Sequence, residues 1–129
     1  MNKILVEVSV GELLDKISIL EIKKEKIKNV IKLKFINDEH AILKEQLDKN
    51  VNSDEKIDNL FKSLKKINAK LWVIEDDKRL CEKNSDFTEN FIKLSRDVHF
   101  LNDDRAKIKL EINHYTGSRI KEIKEYTSY

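Results

Sequence analysis

The chain has 129 residues, 40% hydrophobic and 39% charged, with no proline and only Gly11 and Gly117 as glycines. That suits one domain over residues 1–129 and excludes an all-β sandwich or barrel, which needs turn-forming residues every ~8–12 positions. Leu, Ile, Val and Phe number 42, enough apolar surface to exclude disorder, and 26 basic against 24 acidic side chains lack the excess of a nucleic-acid-binding domain.

In chain order, Lys3–Val8 alternates, with Ile4, Val6 and Val8 on one side, and predicts a short strand or extended arm. A lone strand leaves backbone groups unpaired, so this segment is expected to pair with a second copy or to lie along the bundle. Ser9, three residues before Glu12, predicts a capping box opening a first helix over residues 10–28. Val10, Leu13, Leu14, Ile17, Leu20 and Ile27 hold helical spacing there, and Ile19 and Ile22 widen the apolar surface to a second side. A helix with two apolar sides is covered by more than one neighbour.

Val30–Phe35 alternates like a strand, yet Ile36, Leu43 and Leu47 continue a helical phase. A break near Asn29 and a second helix over about 31–49 is the preferred reading. Asn50–Ser53 forms a loop, with Ser53 or Asp54 capping the third helix. Two heptad series come next: Ile57, Leu64, Leu71, Lys78 with Leu60, Ile67, Ile74, Cys81, and then Phe87, Leu94, Leu101, Ile108 with Phe91, Val98, Arg105, Ile112. Joined by the polar turn at 83–86, they predict a long antiparallel helical hairpin over about 54–83 and 86–114. Gly117 stops the second arm, and 118–129 is either one further helical turn or a docked tail. The fold class is therefore an all-α helical bundle.

Lysine outnumbers arginine 22 to 4, which draws attention to the arginines inside acidic clusters. Glu75-Asp76-Asp77-Lys78-Arg79 is one such cluster, and Glu75 and Arg79 stand at the favourable i,i+4 spacing. Asn102-Asp103-Asp104-Arg105 is the other, and its Arg105 falls on an apolar seam, where a guanidinium must be paired or must reach solvent. The candidate polar cluster is thus Glu75, Asp76, Arg79, Asp103, Asp104 and Arg105. With the hairpin turning near Ser85, Arg105 is expected opposite Leu64, far from Glu75 and Asp76. Its carboxylate must then come from its own helix or from the first helix. Asp15 is preferred, because Glu12 is taken by the capping box. Breaking such a pair, if buried, costs about 3–5 kcal/mol.

Other chemistry is poorly supported. A helical di-metal site needs two Glu-x-x-His spacings, and only Glu111-x-x-His114 occurs. Residues 12–116 hold no glycine for a phosphate loop, and Cys81 is alone, without a metal cluster or disulfide partner. No metal or cofactor is expected. The Lys23–Lys34 run carries six lysines but lacks arginine and interleaved aromatics, so nucleic acid is not the expected partner. The opening residues have too short an apolar run for a signal peptide, and no stretch spans a bilayer, so a cytoplasmic protein without a membrane is expected.

The opening Glu7-Val8-Ser9-Val10-Gly11-Glu12-Leu13-Leu14-Asp15-Lys16-Ile17, the central Leu71-Trp72-Val73-Ile74-Glu75-Asp76-Asp77-Lys78-Arg79 and the late Asn102-Asp103-Asp104-Arg105-Ala106, with Lys109, Ile112, Asn113 and Gly117-Ser118, belong together. They resemble the motifs of a family of short uncharacterised bacterial and environmental helical proteins. The resemblance spans almost the whole chain and implies no established activity. That family often carries Asn-Pro or Asp-Pro after its first helix, where this chain has Asn29-Val30, which favours the helix break.

Two functions are expected from these features. The first is a non-enzymatic protein acting by protein–protein interaction, a homo-oligomer with a dimer favoured, whose protein partner is otherwise unspecified. The alternative is a small enzyme or binder for a phosphorylated or carboxylated metabolite that uses an Arg/Asp cluster.

Overall fold

Side-chain caps and one left-handed glycine punctuate the chain. In the computed structural model, which describes residues 1–129, Ser9, Asn29 and Asp54 each accept a hydrogen bond from a first-turn backbone N–H, at 3.1, 3.0 and 2.8 Å. They open α1 (Val10–Lys26), α2 (Val30–Asn50) and α3 (Glu55–Lys83), and α4 (Glu89–Thr116) completes the order. Gly117, at φ 65°, ends α4 in the conformation that costs a glycine least. The architecture is an all-α bundle.

The structure decides between some of the expected alternatives and changes other expectations in detail. Lys3–Val8 forms an extended arm and no strand, since no second strand stands beside it to complete a ladder. The alternating Val30–Phe35 is helical, in phase with Ile36, the one buried residue of α2. α4 begins at Glu89 instead of near 86, because the Asp86 carboxylate accepts from the Thr88 backbone N–H at 3.2 Å and holds an Asx-type turn there. The capping box is half formed: Ser9 caps Glu12, but the Glu12 carboxylate turns to Lys109 at 2.7 Å. The tail 118–129 adds no helical turn. It docks on α4 instead, with Tyr129 against His99 and Phe100 at ring-centroid distances of 5.3 and 5.4 Å.

α1 is the centre of the bundle. It packs against α2, α3 and α4, whereas α2 runs alongside α1 alone and α3 pairs with α4. The two apolar sides of α1 account for this: Leu14, Ile17, Leu20 and Ile22 are all nearly inaccessible. Leu14 joins Ile57, Leu64 and Ile112 in the main core, with Leu47 and Phe61 against its edge. Each such aliphatic side chain stabilises by roughly 1.5–3 kcal/mol when fully buried.

The hairpin outruns α1. The C-terminal end of α1, at Lys26, borders α3 near Lys66–Ile74 and α4 near Asp97–Leu101. Beyond that level the two arms have only each other, and between residues 72 and 108 only Cys81 is buried. Phe87 and Phe91 meet edge to face at 5.5 Å near the turn. No helix is long and apolar enough to cross a membrane.

Candidate functional site

The start of α1 lies directly on the end of α4. Gly11 N–H donates to Asn113 Oδ1 at 2.7 Å and Val10 N–H to Ser118 Oγ at 3.2 Å, which satisfies donors that a helix start otherwise leaves open. A Cβ at Gly11 would stand 2.5 Å from the Lys109 carbonyl oxygen and 2.9 Å from Asn113 Oδ1. Only glycine permits this approach.

One turn further on, Asp15 points into the bundle and is 1% exposed. Arg105 grips it with two hydrogen bonds, Nε to Oδ1 at 2.9 Å and Nη2 to Oδ2. Asn68 Nδ2 donates to Asp15 Oδ1 and to Ser18 Oγ, both at 2.8 Å. Ser18 Oγ in turn donates to the Asp15 carbonyl at 2.7 Å. Burial is the largest influence on the Asp15 carboxyl and would raise its pKa. The hydrogen bonds from Arg105 and Asn68, with the charges of Arg105 and Lys109, together outweigh it and hold the group below the usual aspartate range.

Lys109 extends the network. Its Nζ lies 2.7 Å from Glu12, 3.1 Å from Glu122 of the tail and 3.9 Å from Asp15. Burial, the largest influence, would lower its pKa, but the hydrogen bonds to Glu12 and Glu122 and the Asp15 charge raise it above the lysine norm. Glu7 and Arg119 close the outer end with a two-bond pair between arm and tail. Glu12 and Asp15 of the opening motif therefore meet Arg105 and Lys109 of the late motif at one seam, α1 against α4.

The central motif faces a neighbouring cleft. Trp72, Glu75, Asp76 and Arg79 of α3 line a cavity of about 330 Å³ together with Ile19, Asn68 and Arg105. The distance expected between Arg105 and the acidic stretch of α3 is thus corrected: they border one cleft without pairing. Helical side chains lean toward the N-terminus of their own helix. On antiparallel arms Arg105 leans toward the turn while Glu75 and Asp76 lean away from it, so the two sets approach. Glu75 and Arg79 form no ion pair despite their spacing. Asp103 and Asp104 lie outside the cleft: Asp103 accepts from the Tyr129 hydroxyl and Asp104 is exposed.

Asp15 is poorly placed for proton transfer, since a general base works best with a pKa near the operating pH. No group of three or more His, Cys, Asp or Glu side chains is arranged to hold a metal ion. The arrangement is suited to fixing α1 on the hairpin. The lowered pKa sets a pH dependence. Asp15 contributes its full stabilisation above its unfolded value of about 3.9, and loses it as the pH falls through the lower folded value. Urea midpoints should therefore fall below about pH 4 more steeply for the natural chain than for Asp15→Asn. Equal slopes would show that Asp15 does not carry the acid sensitivity.

Asn68, Ser18, Lys109 and Asn113 are the buried polar residues missing from the sequence-based candidates. Asn68 had a signal, since it shares the helix face of Leu64 and Leu71 at +4 and −3. Lys109 had one too, standing one turn beyond Arg105. His40 is half-buried, with its Nε2 shielded from solvent, unbonded and 3.6 Å from Glu21.

Among known proteins, a family model described as "Family of unknown function (DUF6165)" matches residues 4–129. No curated protein and no solved structure matches.

Proposed function

This chain belongs to the DUF6165 family, a family of unknown function, and we propose that it works in the cytoplasm by association with protein, first of all with further copies of itself. The observation that carries this reading is unspent surface. The chain exposes 9607 Å², whereas a compact monomer of its mass exposes about 7,100 Å². Large apolar side chains lie on that surface: Ile31, Phe35 and Ile42 on α2, Ile4 and Leu5 on the arm, Leu80 and Phe87 on the hairpin end. Where exposed apolar side chains adjoin, they mark contact surfaces. The free, buried Cys81 suits a reducing compartment.

The metabolite-binding alternative draws on the cleft beside Trp72. Its charges count against an anionic ligand: Arg105 is already neutralised by Asp15, and Arg79 shares the cleft with Glu75 and Asp76. Association is the better-supported function. Sedimentation equilibrium of the full chain should give a multiple of the 15.3 kDa monomer mass. A strict monomer at the highest soluble concentration would overturn the self-association reading.

A further inference from the structure

Residues Lys62, Lys66, Ala69, Val73, Asp76 and Leu80 succeed one another on α3 at intervals of four and three. That is the spacing of a coiled-coil seam, and it puts them on one helix face. The face is uncovered: all but the half-buried Ala69 are exposed, with Val73 at 48% and Leu80 at 55%. Alongside it, Val73, Ile74, Phe100 and Leu101 line an open apolar depression of about 670 Å³.

Charge divides along this face. On or beside it stand Lys62, Lys66 and Lys70 at one end and Asp76 and Asp77 at the other, whereas Lys65 is turned to Glu21 and Glu25 of α1. Lys62, Lys66, Asp76 and Asp77 take no part in any ion pair. Like charges one turn apart, such as Lys66 and Lys70, disfavour an isolated helix. A surface that is basic at one end, acidic at the other and apolar between is complementary to itself turned end for end.

We infer that this face of α3 is the contact between two copies of the chain, paired antiparallel about a two-fold axis near Ala69 and Val73. The inference rests on the self-association proposed above and names its surface. In this arrangement Ala69 of each copy meets Val73 of the other, and each Lys66 meets an Asp76. The contact is isologous, so association closes at the dimer.

The test is sedimentation of the full chain carrying Lys66→Glu, Asp76→Lys, or both. Either single substitution puts like charges together twice across the axis and should weaken the dimer on the order of tenfold. Two results should then restore it: an equimolar mixture of the two single variants, and the double variant alone. Both restorations should fade at high salt. Lys66 is exposed, so the Lys66→Glu monomer should melt as the natural chain does. If the natural chain is a monomer, the self-association reading falls, and this inference with it. If it dimerises but ignores both single substitutions, only the α3 contact is overturned. A response to Lys66→Glu alone, or a failure of the mixture to recover, would equally overturn it and assign the lysines to a different acidic partner.

Discussion

Asp15→Ala should destabilise the chain by about 3–5 kcal/mol, the cost of removing one partner from a buried ion pair. The size reflects the groups left unpaired. Arg105 and Asn68 lose the acceptor they share, and Lys109 loses an anion 3.9 Å away. Against a domain stability of about 5–15 kcal/mol this is a large fraction, so Asp15→Asn, which keeps the volume and removes only the charge, is the companion variant. Arg105→Met should cost less, because its side chain is 28% exposed and Asp15 retains Asn68 and Lys109. The double variant Asp15→Ala/Arg105→Met should cost less than the sum of the two, since it removes both stranded charges. Urea denaturation supplies all four values. A loss below about 1 kcal/mol for Asp15→Ala would place the pair among ordinary surface salt bridges.

Gly11→Ala should also destabilise, by about 1–3 kcal/mol, even though alanine is the better helix former. The new methyl would meet the Lys109 carbonyl oxygen at 2.5 Å, and that atom is backbone inside α4. Relief requires α1 and α4 to separate, which stretches the Gly11–Asn113 hydrogen bond and loosens the grip of Arg105 on Asp15. Lys16→Ala, on the exposed side of the same helix, should change stability by less than about 0.5 kcal/mol. A Gly11→Ala protein as stable as the natural one would mean that the two helices yield at that point.

The helices are legible in the sequence because their signals are local. The seam positions Ile57, Leu64 and Leu71 repeat every seven residues, and Ser9, Asn29 and Asp54 are the small polar residues that cap helices. Arg105 is conspicuous for a similar reason, as a cation on an apolar seam. What surrounds it is less legible. Glu12 has a local capping role available, and nothing in its own neighbourhood says that Lys109, 97 residues away, will claim its carboxylate. Asn68 reads as one more polar residue in a lysine-rich helix until Asp15 and Ser18 are placed beside it. The cleft escaped for a geometric reason: matching Cα levels along the hairpin ignores the opposite lean of side chains on antiparallel helices. The start of α4 shifted by three residues because one carboxylate, Asp86, organised the turn.

The central place of α1 has a consequence for the growing chain. α1 is synthesised first, yet the Gly11–Asn113 and Asp15–Arg105 bonds span 102 and 90 residues. At a synthesis rate of about 5–20 residues per second, the first helix waits roughly 5–20 seconds for the fourth to emerge. During that interval Asp15 lacks its guanidinium, Gly11 its carbonyl neighbour, and the two apolar sides of α1 have only α2 and the early part of α3 to lie against. The hairpin, whose arms are adjacent in the chain, can zip as soon as its turn is made, with the low contact order that favours rapid folding. The last pair of helices can thus pair without α1, whereas α1 has its complete seat only once α4 is made.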